Sequence, residues 1–414
     1  MSVRVSGEQE TVMKNSMAPL LGILLMILLT SSAWAIEIDE PGGIDLHGFI
    51  SQGFLQSTDN NFFANTENGS FELKDTGISF STDITARIRV GIQLMAYEMG
   101  DFGSDAIQIN WANGDYSVND WLGIKIGKMK LHHGLYNTGR DGDFLRTSIL
   151  LPQSIYNEAW RSTVAGISGF EIYSSLPGGY LGRLSMNGQV GKVDINLDSG
   201  VATTTKEQLL ENTIIYDPND IQQDTAFVGR LLWETPFPGL SLNTTFWTVD
   251  LTMTGTAQSD YLSLDDDNSV YKTSAQSVTG SLEYSYGDFL LVSEYSICKY
   301  DFSLSSVFSK QKLETEGYYT SLAYRFTNWL ETGYYYSVYY PNKDDKKGER
   351  FVVDHSAWLK DSCLSFRFDI LDNWVFKLEG HLMNGTAVMM NNNNPDAQKK
   401  EDWTLFGAKA TFSF

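Results

Sequence analysis

Two patterns of charge in this chain could do chemistry. The first is a single segment, residues 132–162. It mixes Arg140, Asp141, Asp143, Arg146, Glu158 and Arg161 with an apolar set, Phe144, Leu145, Ile149, Leu150, Leu151 and Ile155. A loop left in water has no use for that apolar cluster, whereas one folded against a wall does. Long structured loops are usually functional. The second pattern runs through the rest of the sequence, where charges occupy one parity of alternating segments. Arg87, Arg89, Lys125, Arg183, Arg230, Arg325, Arg367, Lys377 and Lys409 share that parity with Glu171, Glu234, Glu283, Glu294, Asp369 and Glu379. Unpaired charge is prohibitively costly away from water, so such a face needs a wet interior. Groups arranged this way attract and steer ions; they do not make or break bonds.

Bond-making chemistry finds weaker footing. His132-His133 has no cysteine or third ligand at metal-site spacing. Asp265-x-Asp267-Asn268 lacks the full twelve-residue calcium loop with its closing glutamate. Among the five histidines, His355 begins a strand and His381 faces inward, and no Gly-x-Ser-x-Gly elbow is present. The chain is therefore expected to be no enzyme and to use no metal or cofactor. Cys298 and Cys363 fall on separate strands, both inward, and are expected as free thiols. A net charge of −21 argues against nucleic acid, which demands basic patches.

The elements that must position these charges are strands. Period-2 segments bounded by turn residues cover 44–56, 70–83, 86–98, 105–116, 121–131, 163–175, 180–191, 224–235, 240–251, 274–286, 289–301, 314–326, 329–340, 355–370, 374–384 and 402–414. Every second connector is tight, as at Ile84-Thr85, Gly287-Asp288 and Thr327-Asn328. The others are longer: 57–69, 132–162, 192–223, 252–273, 302–313, 341–354 and 385–401. Short turns alternating with long loops mark an outer-membrane barrel. Trp121, Trp329 and Trp374 each follow Asp or Asn in a short turn, and Trp233 precedes another. Indoles settle at headgroup depth, so they form an aromatic girdle. In the last strand Thr404, Phe406, Ala408, Ala410, Phe412 and Phe414 alternate with Gly407, Lys409, Thr411 and Ser413. This parity turns the phenylalanines to lipid and Lys409 to the pore, where it is expected to act on selectivity and not on folding.

The fold class expected is all-β, a transmembrane antiparallel barrel of about 16 strands, with 132–162 folded into the lumen. A count of 18 stays open. Sixteen strands enclose more space than side chains fill, leaving an aqueous channel. The apolar run Pro19–Leu29, with Lys14 before it and Ser31-Ser32-Ala33-Trp34-Ala35 after it, reads as a secretory signal cleaved after Ala35. Glu8 and Glu10 suit such a leader poorly, so Met13 is an alternative start to Met1. Residues 36–414 then form one barrel domain.

Leader, strand count, the long loop after the fifth strand and the terminal Phe414 together resemble the Gram-negative trimeric porins. The resemblance covers the mature chain in architecture, although the loop lacks the Pro-Glu-Phe-Gly-Gly run of enteric porins. It implies that the loop makes the constriction, with Asp141, Asp143 and Glu158 as its acidic side and Arg87 and Arg89 leading a basic wall opposite. It also implies a homotrimer in outer-membrane lipid, and recognition of Phe414 by the barrel-assembly machinery. The basic density is also similar to phosphate-selective porins, without a clear lysine or arginine ladder. A passive channel for small hydrophilic solutes and ions leads. A solute-specific channel for an anion or sugar is the alternative, with a barrel enzyme or an adhesive barrel behind it. Acidic outer loops, such as Asp344-Asp345, oppose the basic wall and leave the sign of selectivity open.

Overall fold

A computed structural model describes residues 43–103, 105–305 and 307–414. The expected leader and both candidate starts lie outside the described residues. The chain runs through β1 (Asp45–Ser57), β2 (Ser70–Thr85), β3 (Ile88–Met99), β4 (Phe102–Gly103), β5 (Gln108–Asn119) and β6 (Leu122–Lys130). It continues with β7 (Gly166–Pro177), β8 (Arg183–Val193), β9 (Ile215–Gln223), β10 (Ala226–Glu234), β11 (Leu240–Ser259) and β12 (Leu264–Tyr286). Then come β13 (Phe289–Leu304), β14 (Phe308–Thr327), β15 (Leu330–Tyr340), β16 (Leu359–Leu371), β17 (Trp374–Gly385) and β18 (Asp402–Ser413).

These eighteen segments make sixteen staves of one closed antiparallel barrel. Both β4 and β5 pair with β3, and both β9 and β10 pair with β11, so each of these pairs counts as one interrupted stave. The ends meet where β18 lies antiparallel to β1, from Phe49 opposite Ser413 to Ser57 opposite Leu405. Closure leaves no unpaired edge, which lipid would not tolerate.

Parity then sorts the side chains. Val278, Leu364, Leu382 and Phe406 are exposed on the outside, while Ser277, Thr279, Glu379 and Lys409 are buried inside. Trp121, Trp233 and Trp329 are exposed beside the short turns, where the girdle is expected. Both cysteines are free and buried.

Two of the expected long loops, 252–273 and 302–313, are mostly strand. Here β11 and β12 stay paired from Leu240/Tyr284 to Ser259/Leu264, and β13 and β14 pair as far as Leu304/Phe308. A spanning strand needs only about 9–11 residues, so these hairpins project beyond the bilayer. The alternation of Thr252, Thr254 and Thr256 with Met253, Gly255 and Ala257 continues the strand pattern without a break. The loop 192–223 also holds order, a helix Gly200–Glu211 followed by β9. Its Leu209 packs with Ile214, Tyr216 and Met253 inside the barrel mouth.

Phe406 is 45% exposed on the outer face. An arginine at mid-bilayer depth on that face costs about 2–4 kcal/mol. Phe406→Arg is therefore expected to lower the urea midpoint of the barrel in lipid vesicles. An unchanged midpoint would show that Phe406 does not face lipid.

Candidate functional site

The connector between β6 and β7 leaves the wall after Lys130, crosses the lumen and returns at Gly166. Its buried backbone groups need partners, and the wall provides them from several sectors. Glu379 on β17 accepts the N–H groups of Ile149 (2.6 Å) and Leu150 (3.1 Å). Glu294 on β13, 1% exposed, accepts from Leu135 N–H (2.9 Å) and from the hydroxyls of Tyr156 (2.5 Å) and Tyr319 (2.7 Å). Lys377 on β17 donates to the carbonyls of Asp143 (2.6 Å) and Ser148 (3.0 Å). From β11, Thr245 accepts the N–H of Gly134 at 3.0 Å. On β14 the loop comes so close that a Cβ at Gly317 would stand 2.0 Å from the Ser154 carbonyl oxygen. Only a glycine admits that approach.

The apolar residues of the loop seat it. Ile149 and Leu150 join Leu55, Leu73, Leu359 and Leu405 from the wall, while Leu151, Ile155 and Tyr156 pack with Val292 and Tyr319. Phe144 and Leu145, expected in the same anchor, stay exposed in a short 3-10 turn, Asp143–Leu145.

The loop's charges are joined to the wall in one connected set of ion pairs. Asp141 meets Lys130 and Arg161 (3.2 Å). Arg161 also meets Asp75 on β2 (2.9 Å) and Glu158 (3.6 Å), and its guanidinium lies 4.4 Å from the centre of the Tyr97 ring. Lys409 bridges Asp75 (2.7 Å) and Asp143 (2.9 Å), while Asp143 reaches Arg146 (3.3 Å) and Lys377 (4.0 Å). Arg140 closes the set on Glu158 at 2.7 Å. Six cations (Lys130, Arg140, Arg146, Arg161, Lys377, Lys409) thus face four anions (Asp75, Asp141, Asp143, Glu158), an excess of two formal positive charges. Burial alone would raise the carboxyls of Asp141 and Asp143. Their cationic neighbours overcome that and hold both well below the ordinary carboxylate range.

The six loop residues singled out by sequence are therefore brought together, but as a buried network and not as one bank of a water gap. Three of the nine expected basic wall residues touch the loop: Lys377, Lys409, and Arg367, which donates to the Phe144 carbonyl at 2.5 Å. Arg230 bonds Asn243 at 3.0 Å, and Asn243 reaches the Gly134 carbonyl at 3.4 Å.

The remaining wall residues sit at the short-turn end. Arg87 is in the β2–β3 turn, and Arg89 pairs with Asp45 at 2.7 Å. Lys125 pairs with Asp115 at 3.9 Å, Arg183 with Glu234 at 3.3 Å, and Arg325 with Asp369 at 2.7 Å. Parity turns Arg89 inward as expected, but parity says nothing of height, and Arg87 and Arg89 do not face the loop. At loop level β3 presents Tyr97.

Asp75 and Lys130 were missed. At the upper end of β2 the apolar Leu73 faces inward and Lys74 pairs with the surface residues Glu98 and Asp105, so alternation there conceals the buried acid. His132-His133 holds no metal-like arrangement. His133 accepts from Trp247 Nε1 at 3.1 Å and meets the Ile155 carbonyl at 2.9 Å, so both ring nitrogens are used.

No protein-family model matches the sequence, and no curated protein does. Solved structures match in fold. The outer membrane channel DcaP of Acinetobacter baumannii superposes with a TM-score of 0.56 at 9% identity, over 92% of this chain and 100% of that one. OmpF of Salmonella typhi, in complex with daunomycin, gives 0.55 at 11% identity, over 90% and 98%. An anion-selective porin from Comamonas acidovorans gives 0.52 at 10% identity, over 90% and 100%.

Lys409→Glu places a third carboxylate beside Asp75 and Asp143 and removes their shared cation. Losing one partner of a buried pair costs about 3–5 kcal/mol. The variant is expected to release the loop, read as new protease cleavage within 141–148; a loop as resistant as the parent would refute the network's role.

Acid acts in the same direction. Burial pushes the His133 imidazole down to about 4, so at this residue the seated loop binds fewer protons than the released loop. Seating is then undisturbed above about pH 6.5 and weakens as pH falls towards 4. Asp141 and Asp143, held low, add to the loss only below the ordinary carboxylate range. Hydrogen exchange in 132–162, corrected for intrinsic rates, is expected to be faster at pH 4.5 than at pH 7.

Proposed function

We propose that this chain, which has the barrel fold of Gram-negative outer-membrane porins, forms a water-filled channel through the bacterial outer membrane. Small hydrophilic solutes and ions would cross it passively, with no cofactor. The observation that carries this reading is the loop bonded across the lumen to opposing sectors of the wall. A sixteen-strand barrel is wider than its own side chains fill, and a loop pinned at Asp75, Glu294, Glu379 and Lys409 narrows it to a fixed size. A barrel built only as a scaffold has no need of such an internal brace.

Export by a cleaved leader over residues 1–35, assembly read through Phe414 and a homotrimer belong to the same proposal. Phe414 supports its part: its N–H and carbonyl both pair with Gly48 at 2.9 Å, so the terminal residue helps close the barrel against β1. A non-enzymatic role is supported by the surroundings of His381. Its Nδ1 lies 3.0 Å from Asp361 and its Nε2 lies 3.1 Å from Glu379, and the group is fully buried behind the seated loop. Substrate has no approach to it.

A solute-specific channel is the second reading, favoured by the positive excess at the loop. The purified protein in a planar bilayer is expected to give stepwise, ohmic conductance. Reversal potentials across a salt gradient then read ion preference, with anion preference expected if the loop network outweighs the acidic outer loops. Absence of any conductance from folded protein would refute the channel.

A further inference from the structure

Two cavities on the outer side of the loop are adjacent and chemically unlike. The larger, about 200 Å³, is roofed by the helix Gly200–Glu211 and the 386–401 loop and walled by aromatic and aliphatic side chains. The smaller, about 60 Å³, lies deeper, between the loop and the β11–β15 wall. Trp160, Trp247, Tyr300 and Tyr339 line both, so the two lie against the same four rings.

The deep recess holds a group that the channel reading leaves unexplained. Arg140, 4% exposed, spends Nη2 on Glu158 and the Tyr156 carbonyl. Its Nε and Nη1 have no hydrogen-bond partner among the described residues. Thr163, also 4% exposed, lines the larger cavity with its Oγ1 equally unpartnered. An unsatisfied buried donor is costly, more so on a charged group. The recess also offers Gln153, Ser277 and Ser296. With two positive charges in excess across the loop's ion-pair set, the unpartnered edge of Arg140 suits an anion, and a carboxylate is an acceptor that guanidinium recognises.

We propose that the two adjacent cavities together form a binding site for a small aromatic monocarboxylate. Its carboxylate takes Nη1 of Arg140, and its ring lies among Trp160, Trp247, Tyr300 and Tyr339. Pocket size agrees, since an apolar cavity of about 150 Å³ already accepts benzene. Glu207 and Glu211 at the outer rim bond Asn391. Their charge repels the carboxylate and orients the solute with its ring outward. A carboxylate without a ring gains nothing from the aromatic wall, and a neutral ring leaves Arg140 unsatisfied. The site names the solute for the channel reading and rests on that reading only for the solute's passage.

Benzoate, acetate and benzyl alcohol separate the two halves of the site. Each is titrated against the folded protein in detergent by intrinsic tryptophan fluorescence, and in parallel as a blocker of conductance in a planar bilayer. Benzoate is expected to bind saturably and about tenfold or more tighter than either fragment. Arg140→Gln should erase the preference for benzoate over benzyl alcohol, and Trp160→Ala the preference for benzoate over acetate. Because Arg140 also holds Glu158, loop seating in Arg140→Gln is checked by protease resistance. Thr163→Val, outside the ion-pair set, provides a second variant expected to weaken benzoate without releasing the loop. Equal weak binding of all three probes would overturn the site, leaving a water-filled recess. So would a benzoate preference that survives Arg140→Gln with the loop seated. Selective binding without conductance would refute the channel and keep the site; conductance without selective binding would do the reverse.

Discussion

The structure depends on how charge and backbone are satisfied inside the barrel, and Asp143 with Lys409 is the interaction on which that turns. Lys409 sits on the last strand and Asp143 at the middle of the crossing loop, and their 2.9 Å contact ties the closure of the barrel to the position of the loop. Asp75 on β2 shares the same ammonium, so strands on both sides of the β1–β18 seam converge on it. Isolated, any of these groups would cost more to bury than it returns. Joined to Arg161, Lys377 and their partners, they can leave water together. The loop is then held by groups that would be destabilising without it.

The same economy explains the wall acids. Glu294 and Glu379 serve as acceptors for loop N–H groups, a task that helix or sheet performs elsewhere and that a loop inside a barrel cannot perform for itself. Lys377 does the converse for loop carbonyls. A lumen that reads from the sequence as a wet field of charges is thus partly a dry scaffold.

Much of the barrel was legible. The parity of Phe406 against Lys409, the tryptophans beside the short turns and the alternation of tight and long connectors each point to the observed staves. They are legible because each is local: a strand repeats every two residues, and lipid on one side imposes a strict rule on every second one. The long hairpins at β11–β12 and β13–β14 were not, although 252–257 alternates, because beyond the bilayer the outward residues are polar and the lipid rule no longer separates strand from loop. The crossing loop was half legible. Its segment and its charges stand out in composition, yet Arg87 and Arg89 share the right face with Lys409 at the wrong height, and Asp75 hides behind an inward Leu73.

The sequence by itself determined the all-β barrel, which face of the cleanly alternating strands meets lipid, and which loop enters the lumen, since period and composition encode these. Only the tertiary structure decided which charges meet. The path of a loop across a lumen brings Asp143 to Lys409, Leu150 to Glu379 and Leu135 to Glu294, over separations of more than a hundred residues. No local pattern records such pairings. They follow from the height of each residue on its strand and from the need of every buried charge and amide to find a partner where the fold leaves one.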